Sequence, residues 1–408
     1  MIDFQEKRRI LISAPRYIAP ITVEETEKLG YEVRVEKDNA LSIRGNLADA
    51  MKLNLWLRTA HKVQFHLFEG RAKNIDEFYT VINEFAWEDL IPEVEDAYVS
   101  IQSATHNDTI RDTRLPNLKA KDAIVDRLTE KYGFRPDSGS ETDKTVLFIY
   151  WNRDRVSVFL DTSGTPLNRR GYRHQPHKAP LQESLAAALI LKSGWDPNSH
   201  FVNPMCGSGT LAIEAFLIAT RTAPGLLREN YGFMHIKGYD STIWENLTEE
   251  AKQQQLPISE GMIVATDRDP EAIEAAKGNA ERANASAHIL FRISDFRETF
   301  IPVGKGTIIM NPEYGERLGS EKDLQKIYTA VGSYFKRRAQ DYGCFVVSTH
   351  EWLRFIKLEP RNRYKFYNAN IDVEFVEYQI YPSKKSMAET SGDQKPKRVM
   401  RSRKNKDE

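Results

Sequence analysis

Cysteine is nearly absent from this sequence. Of 408 residues only two, Cys206 and Cys344, carry a thiol. That excludes a disulfide framework and any zinc site built on cysteine, and nothing else in the chain points to a bound metal. A surplus of charge is absent too, since 58 Lys and Arg face 58 Asp and Glu. A chain of even balance does not advertise a polyanionic partner in bulk, so any basic surface must be local. No run approaches the ~20 apolar residues of a membrane-spanning helix. Residues 1–9 lack the apolar centre of a secretory signal. These absences leave a soluble, cytoplasmic protein with no membrane partner as the expectation, of two or three domains by length.

What is present concentrates at residues 203–210, Asn-Pro-Met-Cys-Gly-Ser-Gly-Thr. A short apolar run ends at Val202 ahead of them, and 211–220 reads as a buried helix behind them. Gly207 and Gly209 permit positive φ and let a ligand approach main-chain N–H groups with no Cβ in the way. A glycine-rich turn from strand to helix is a general nucleotide-type site, and Asn203, Pro204, Cys206 and Thr210 belong to it. The spacing is not G-x-G-x-x-G, and no P-loop lysine follows. Alone, the stretch also reads as a tight structural turn. Cys206 reads as a small packing residue rather than a nucleophile.

A second stretch, about a hundred residues on, narrows the chemistry. The apolar strand 307–310 runs directly into Asn311-Pro312-Glu313-Tyr314-Gly315. The exocyclic amine of a nucleobase has its lone pair spread into the ring. Two acceptors, the Asn311 side-chain oxygen and the Pro312 carbonyl, can each take one N–H and turn that lone pair toward a methyl group. This is catalysis by orientation and charge stabilisation. Tyr314 can stack on a base taken out of its helix. Without the glycine loop, the same residues would pass for a proline turn with a packed tyrosine.

Together these stretches resemble the class I S-adenosylmethionine-dependent methyltransferases. More narrowly, they are similar to the RNA guanine-N2 methyltransferases of RlmL type, which carry an N-terminal THUMP domain. The resemblance is most specific from about 161 to 319. It implies S-adenosylmethionine as cofactor and structured RNA, 23S ribosomal RNA first, as partner. It also places Pro180, Leu181 and Glu183, in an Ala-Pro-Leu-x-Glu segment, at the methionine end of the cofactor. Asp267 ends the second strand with Arg268 beside it, and a carboxylate there can take both ribose hydroxyls. Asp269 reads as the cap of the helix that Pro270 begins. In the resembling family the acid at Asp295 accepts the adenine amine, and the next side chain, Phe296, packs on the ring. Most such proteins read Asn-Pro-Pro-Tyr at the catalytic loop; here Glu313 replaces the second proline.

The fold class expected is α/β: a class I, Rossmann-like domain with a mostly parallel sheet and closing antiparallel strands. An N-terminal ferredoxin-like unit and a THUMP α+β domain precede it. The divisions are 1–62 for the first unit, 63–162 for the THUMP domain, 163–383 for the catalytic domain, and 384–408 for a disordered basic tail. Residues 383–408 hold nine Lys and Arg against four Asp and Glu. Helices are expected at 18–29, 47–57, 74–90, 119–132, 183–191, 271–283 and 324–340. Arg111, Arg114, Lys119 and Lys121 are candidate phosphate contacts. The loop 161–173 adds Arg169, Arg170 and Arg173, guanidinium groups able to hold phosphate or carboxylate. The resulting expectation is methyl transfer to a guanine N2 amine in 23S rRNA. Methylation of tRNA, adenine-N6 methylation of DNA, and a non-catalytic RNA-binding assembly factor stay open.

Overall fold

The computed structural model describes residues 2–94, 97–107, 110, 112, 114–173, 181–258, 262–314, 321–368 and 370–380. Arg111, Pro180 and the tail 384–408 therefore lie outside the described residues.

The N-terminal part comprises β1 (Arg8–Ser13), α1 (Ala19–Lys28), β2 (Arg34–Lys37), β3 (Ala40–Gly45), α2 (Leu47–Trp56), β4 (Lys62–Arg71), α3 (Ile75–Glu84), β5 (Tyr98–His106), α4 (Leu115–Tyr132), β6 (Asp137–Gly139), β7 (Thr145–Asn152) and β8 (Arg155–Asp161). All eight strands form one sheet in the order β2-β3-β1-β4-β8-β7-β5-β6. β4 is ten residues long and bridges β1 on one side and β8 on the other. The sheet therefore runs through residue 62, where the sequence suggests a division. Alternation sets its faces: Ile10 and Ile12 on β1, Ile43 on β3, Phe65 on β4 and Val158 on β8 enter one core with α2, α3 and α4.

The helices start where capping chemistry starts them. Asn46 and Asp49 form a reciprocal capping box on α2, and Asn74 accepts from two N–H groups at the head of α3. Gly133 closes α4 at φ 75°. One expectation fails here. The helix over 74–90 stops at Glu84, Phe85 is extended, and Trp87–Asp89 makes a separate 3-10 turn. Trp87 folds back under the helix, where its indole N–H reaches the Ile82 carbonyl at 2.7 Å and its ring meets Phe85 edge-on at 4.7 Å. A continuing helix could not bury both rings.

The C-terminal part comprises α5 (Glu183–Ser193), β9 (His200–Pro204), α6 (Thr210–Ala219), α7 (Ser241–Gln253), β10 (Ile263–Asp267), α8 (Pro270–Arg282), β11 (Ile289–Ile293), β12 (Gly306–Met310), α9 (Glu321–Arg338), β13 (Tyr342–Ser348), α10 (His350–Leu353), β14 (Pro360–Asn368) and β15 (Ile371–Tyr378). Its sheet runs β11-β10-β9-β12-β13-β15-β14. The first five strands are parallel, and β15 and β14 close it antiparallel. α5, α6 and α8 pack on one face, and α9 and α10 on the other. Strand order turns back between β9 and β12, so a crevice opens at their carboxyl ends, where open α/β sheets take ligands. α6 is buried all round, and Glu214, 0% exposed, is its single charged residue. The two parts share a packed boundary: α1 meets α5, and α2 meets α7 and the turn at Pro224–Leu227. Among the described residues no helix is long and apolar enough to cross a membrane.

Candidate active site

The glycine loop leaves β9 through Met205 at φ 58° and turns through Gly207 at φ 52° and Gly209 at φ 81°. Three bonds fix it: Cys206 N–H to the Thr266 carbonyl, Gly209 N–H to the Cys206 carbonyl, and Gly207 N–H to Asp267 Oδ2. The two glycines serve different ends. A Cβ on Gly209 would lie 3.0 Å from the Ala276 Cβ and 3.3 Å from its Cα, so this glycine lets the loop press against α8. A Cβ on Gly207 would meet nothing within 4 Å. The loop backbone there faces open space, a cradle that a ligand could fill. Cys206 is 9% exposed, and burial pushes its thiol well above the usual range, which leaves a neutral packing group.

Asp267 stands behind this cradle. Oδ2 accepts the Gly207 N–H at 3.0 Å and Oδ1 accepts the Asp269 N–H at 3.0 Å. A carboxylate has about four acceptor positions, so two remain for a ligand. Asp269 caps α8 through the Glu271 N–H at 3.0 Å. Arg268 is exposed. Asp295 receives the Arg297 guanidinium at 2.7 and 2.8 Å, which holds its carboxyl below the usual range. Phe296 differs from expectation. It is 7% exposed and turned under α9, edge-on to Tyr334 with centroids 6.0 Å apart, which leaves little of its face for an adenine ring.

The second half of the site is the loop after β12. Asn311 Oδ1 is buried and has no hydrogen-bond partner among the described residues. The neighbouring strand end carries Asn203, 0% exposed, whose amide donates to the Ile309 carbonyl at 2.9 Å and ties β9 to β12 under the crevice. Pro312 is buried. Tyr328 on α9 donates to the Glu313 carbonyl at 3.1 Å and shares a 2.5 Å bond with Ser348 at the end of β13. Tyr314 packs its ring against both cores, and its hydroxyl accepts from the Asn368 amide at 2.7 Å. Burial pushes its phenol up.

A third group closes the side toward the N-terminal part. Arg173 donates from one Nη2 to Thr210 Oγ1 at 2.9 Å and to the Leu181 carbonyl at 2.5 Å, with Glu183 at 3.5 Å. Burial raises the Glu183 carboxyl, and Arg173 opposes that rise. Arg173, expected to hold phosphate or a carboxylate and placed among the RNA contacts, faces the Glu183 carboxylate and straps Leu181 to the first turn of α6. Arg170 is corrected as well. It is 1% exposed, its Nη groups bond the carbonyls of Leu167 and Arg58, and its Nε lies 3.4 Å from Glu214. Phosphate cannot reach it. Burial, the largest single influence, opposes its charge, but Glu214, Tyr172 and Glu183 together hold the guanidinium above its usual range. Arg58, also buried, reaches the Leu217 and Thr222 carbonyls at 3.2 and 2.9 Å, while Glu25 accepts its backbone N–H. Tyr172 donates to Glu214 at 3.1 Å. A buried polar chain thus links α1 to α6. Its signal in the sequence was Glu214, one acid in a ten-residue apolar helix, and that signal went unread.

The remaining phosphate candidates stay at the surface. Arg169 is exposed, Arg114 pairs with Asp112 two residues back at 3.1 Å, Lys119 is half-exposed, and Lys121 pairs with Asp122 at 3.0 Å. A broad depression of about 900 Å³ lies far from the crevice on the open face of the N-terminal sheet. Three of its carboxylates are paired within it, Glu6 to Arg8, Glu36 to Arg9 and Glu69 to Arg155. Among the described residues no cluster of side chains could hold a metal ion.

Comparison with known proteins gives matches for both parts of the fold. Residues 170–377 match the RMKL-like methyltransferase domain (UPF0020), and residues 9–64 match the RlmL ferredoxin-like domain. The ribosomal RNA large subunit methyltransferase K/L of Syntrophotalea carbinolica is 32% identical over 387 residues, 91% of this chain and 53% of that protein. The chain spans about half the length of the curated relatives it matches. Among solved structures, SMU.472, a methyltransferase candidate in complex with SAH, superposes with a TM-score of 0.80 at 26% identity, covering 93% of this chain and all of that one. A predicted N6-adenine-specific DNA methylase from Listeria monocytogenes gives 0.79 at 29% identity, with 92% and 97% covered.

Proposed function

Because the chain belongs to the RMKL-like methyltransferase family, we propose that it transfers a methyl group from S-adenosylmethionine to the N2 amine of a guanine in 23S ribosomal RNA. The observation that carries this reading is Asn311 Oδ1, a buried acceptor with no partner among the described residues, one residue before the Pro312 carbonyl. An orphaned buried acceptor costs free energy unless a ligand completes it. An amine with two N–H groups completes it together with the carbonyl.

The residues fit the cofactor. The open space at Gly207 accepts it against main-chain N–H groups, the free acceptor positions of Asp267 suit ribose hydroxyls, and Asp295 suits an adenine amine. Leu181, Glu183 and Thr210, strapped by Arg173, border the other end. The cofactor supplies an electrophilic methyl on a positively charged sulfur. Asn311 and Pro312 accept the two N–H groups and draw the nitrogen lone pair out of the ring plane. The same two dipoles stabilise the positive charge that grows on nitrogen as the new bond forms. One of the amine protons then passes to solvent, so no strong base is required. Tyr314, held by Asn368, offers its ring to the extruded base. Residues 63–162 act as the THUMP-type module that holds folded RNA, with Arg114, Lys119 and Lys121 on phosphates and Arg169 in the loop that follows adding a further contact.

A second reading has one observation in its favour. The two-acceptor loop suits an adenine N6 amine equally well, and the Listeria relative bears that description. Nucleoside mass spectrometry separates the two. The purified chain is incubated with S-adenosylmethionine and, in parallel, protein-free 23S rRNA, tRNA and duplex DNA. The proposal expects N2-methylguanosine in the rRNA arm. N6-methyladenine in the DNA arm alone would replace it with the second reading. RNA binding with no methyl transferred in any arm would favour an assembly factor.

A further inference from the structure

Glu313 lies between the paired acceptors and the tyrosine ring, and the chemistry above does not use its side chain. Its neighbours are fixed. Pro312 is buried, Tyr314 is held by Asn368, and the Glu313 carbonyl is gripped by Tyr328, itself bonded to Ser348. The main chain is anchored from α9, β13 and β14, yet the Glu313 side chain is exposed at the crevice mouth. No hydrogen bond or ion pair engages its carboxylate among the described residues. A charged acceptor thus stands exposed on this anchored stretch, two residues from the amine acceptor.

That edge differs between bases. Guanine places the N1–H donor beside its N2 amine. Adenine and cytosine place an unprotonated ring nitrogen, an acceptor, beside theirs. A carboxylate only accepts. It completes the guanine edge with a charge-assisted bond and sets two acceptors against each other when adenine or cytosine enters. We propose that Glu313 is a specificity-determining residue that takes the guanine N1–H while Asn311 and Pro312 hold the N2 amine. This rests on the reading that the loop methylates a base amine, and it adds a determinant of base choice particular to this chain, since most of the resembling family carry proline at this position.

The test uses the full chain, labelled S-adenosylmethionine and protein-free 23S rRNA, with Glu313→Ala and Glu313→Gln beside the wild type. Cofactor affinity is measured by calorimetry, and products are counted as N2-methylguanosine and N6-methyladenosine. Loss of a charge-assisted bond predicts a fall in guanine kcat/KM of about ten- to a hundredfold for Glu313→Ala, with the cofactor Kd unchanged. Glu313→Gln keeps the side-chain shape and can turn an amide N–H toward adenine N1. It therefore raises the ratio of N6-methyladenosine to N2-methylguanosine. Variants that match the wild type in both guanine rate and product ratio overturn the inference and leave the proposed function standing. A wild type that makes no N2-methylguanosine removes the function first.

Discussion

Replacing Arg170 with methionine tests the buried chain that joins the two parts of the molecule. Arg170 is 1% exposed and Glu214 is 0% exposed, so neither charge is rescued by water in the folded state. At the observed 3.4 Å, their attraction is about 5 kcal/mol for an effective dielectric near ~20. Breaking a buried pair by removing one partner costs about 3–5 kcal/mol. The substitution leaves Glu214 with the Tyr172 hydroxyl and the more distant charge of Arg58 and strips a donor from the Leu167 and Arg58 carbonyls. A loss of about 3–5 kcal/mol in unfolding free energy is therefore expected. Urea unfolding followed by tryptophan fluorescence reads it, and cofactor titration reports whether α6 still presents its loop. Replacing both partners, with Arg170→Met and Glu214→Leu together, should recover most of the loss, because an apolar pair carries no desolvation penalty. A single variant that loses less than ~1 kcal/mol would refute the reasoning. So would a double variant no more stable than the single one.

Asn311→Ala should leave cofactor affinity intact and slow the single-turnover methyl transfer by about a hundred- to a thousandfold; an unchanged rate would remove that oxygen from the chemistry. Asp267→Ala loses the bond to the Gly207 N–H and, with it, the proposed ribose acceptor. It should weaken cofactor binding in calorimetry while RNA affinity in filter binding stays unchanged. Gly209→Ala drives a Cβ to 3.0 Å from Ala276 at a φ of 81°, and should cost about 1–3 kcal/mol in a urea melt, with a parallel loss of cofactor affinity. The Asp295 carboxyl is held below its unfolded value by Arg297. Its contribution to stability is therefore present above the usual carboxylate range and disappears as pH falls through the lower, folded value. Arg297→Ala should bring that titration back toward ~3.9, as followed by carboxyl NMR.

Much of the catalytic part was legible because each segment carries its own signal. The glycine loop, the Asp267 strand end and the Asn311 loop each announce themselves within a few residues. The helix at 271–283 shows its cap and its left-handed stop at Asn284, which the structure has at φ 54°. What escaped was set by residues far apart in the chain. Arg170 and Arg173 read as cations of a polar loop, open to phosphate or carboxylate. Their burial comes from Arg58, Glu214 and Thr210, between 37 and 112 residues away. Phe296 sits in the right place along the chain, but Tyr334 draws its ring into the α9 core. Residues 137–139, Asp-Ser-Gly, have no strand propensity and are extended only because β5 offers them an edge. The single N-terminal sheet was also hidden, because no local pattern says that β4 and β8 will pair.

If Tyr314 carries the base as proposed, its bond to Asn368 makes the outermost strand a working part of the reaction centre. Edge strands usually tolerate trimming, fraying or added partners without harm to what lies deeper. Here β14 reaches past β15 to the ring on which a base would rest. Anything that loosens this rim, from a clipped hairpin to a protein docking along it, would be felt first as slower turnover, while the rest of the fold stayed intact.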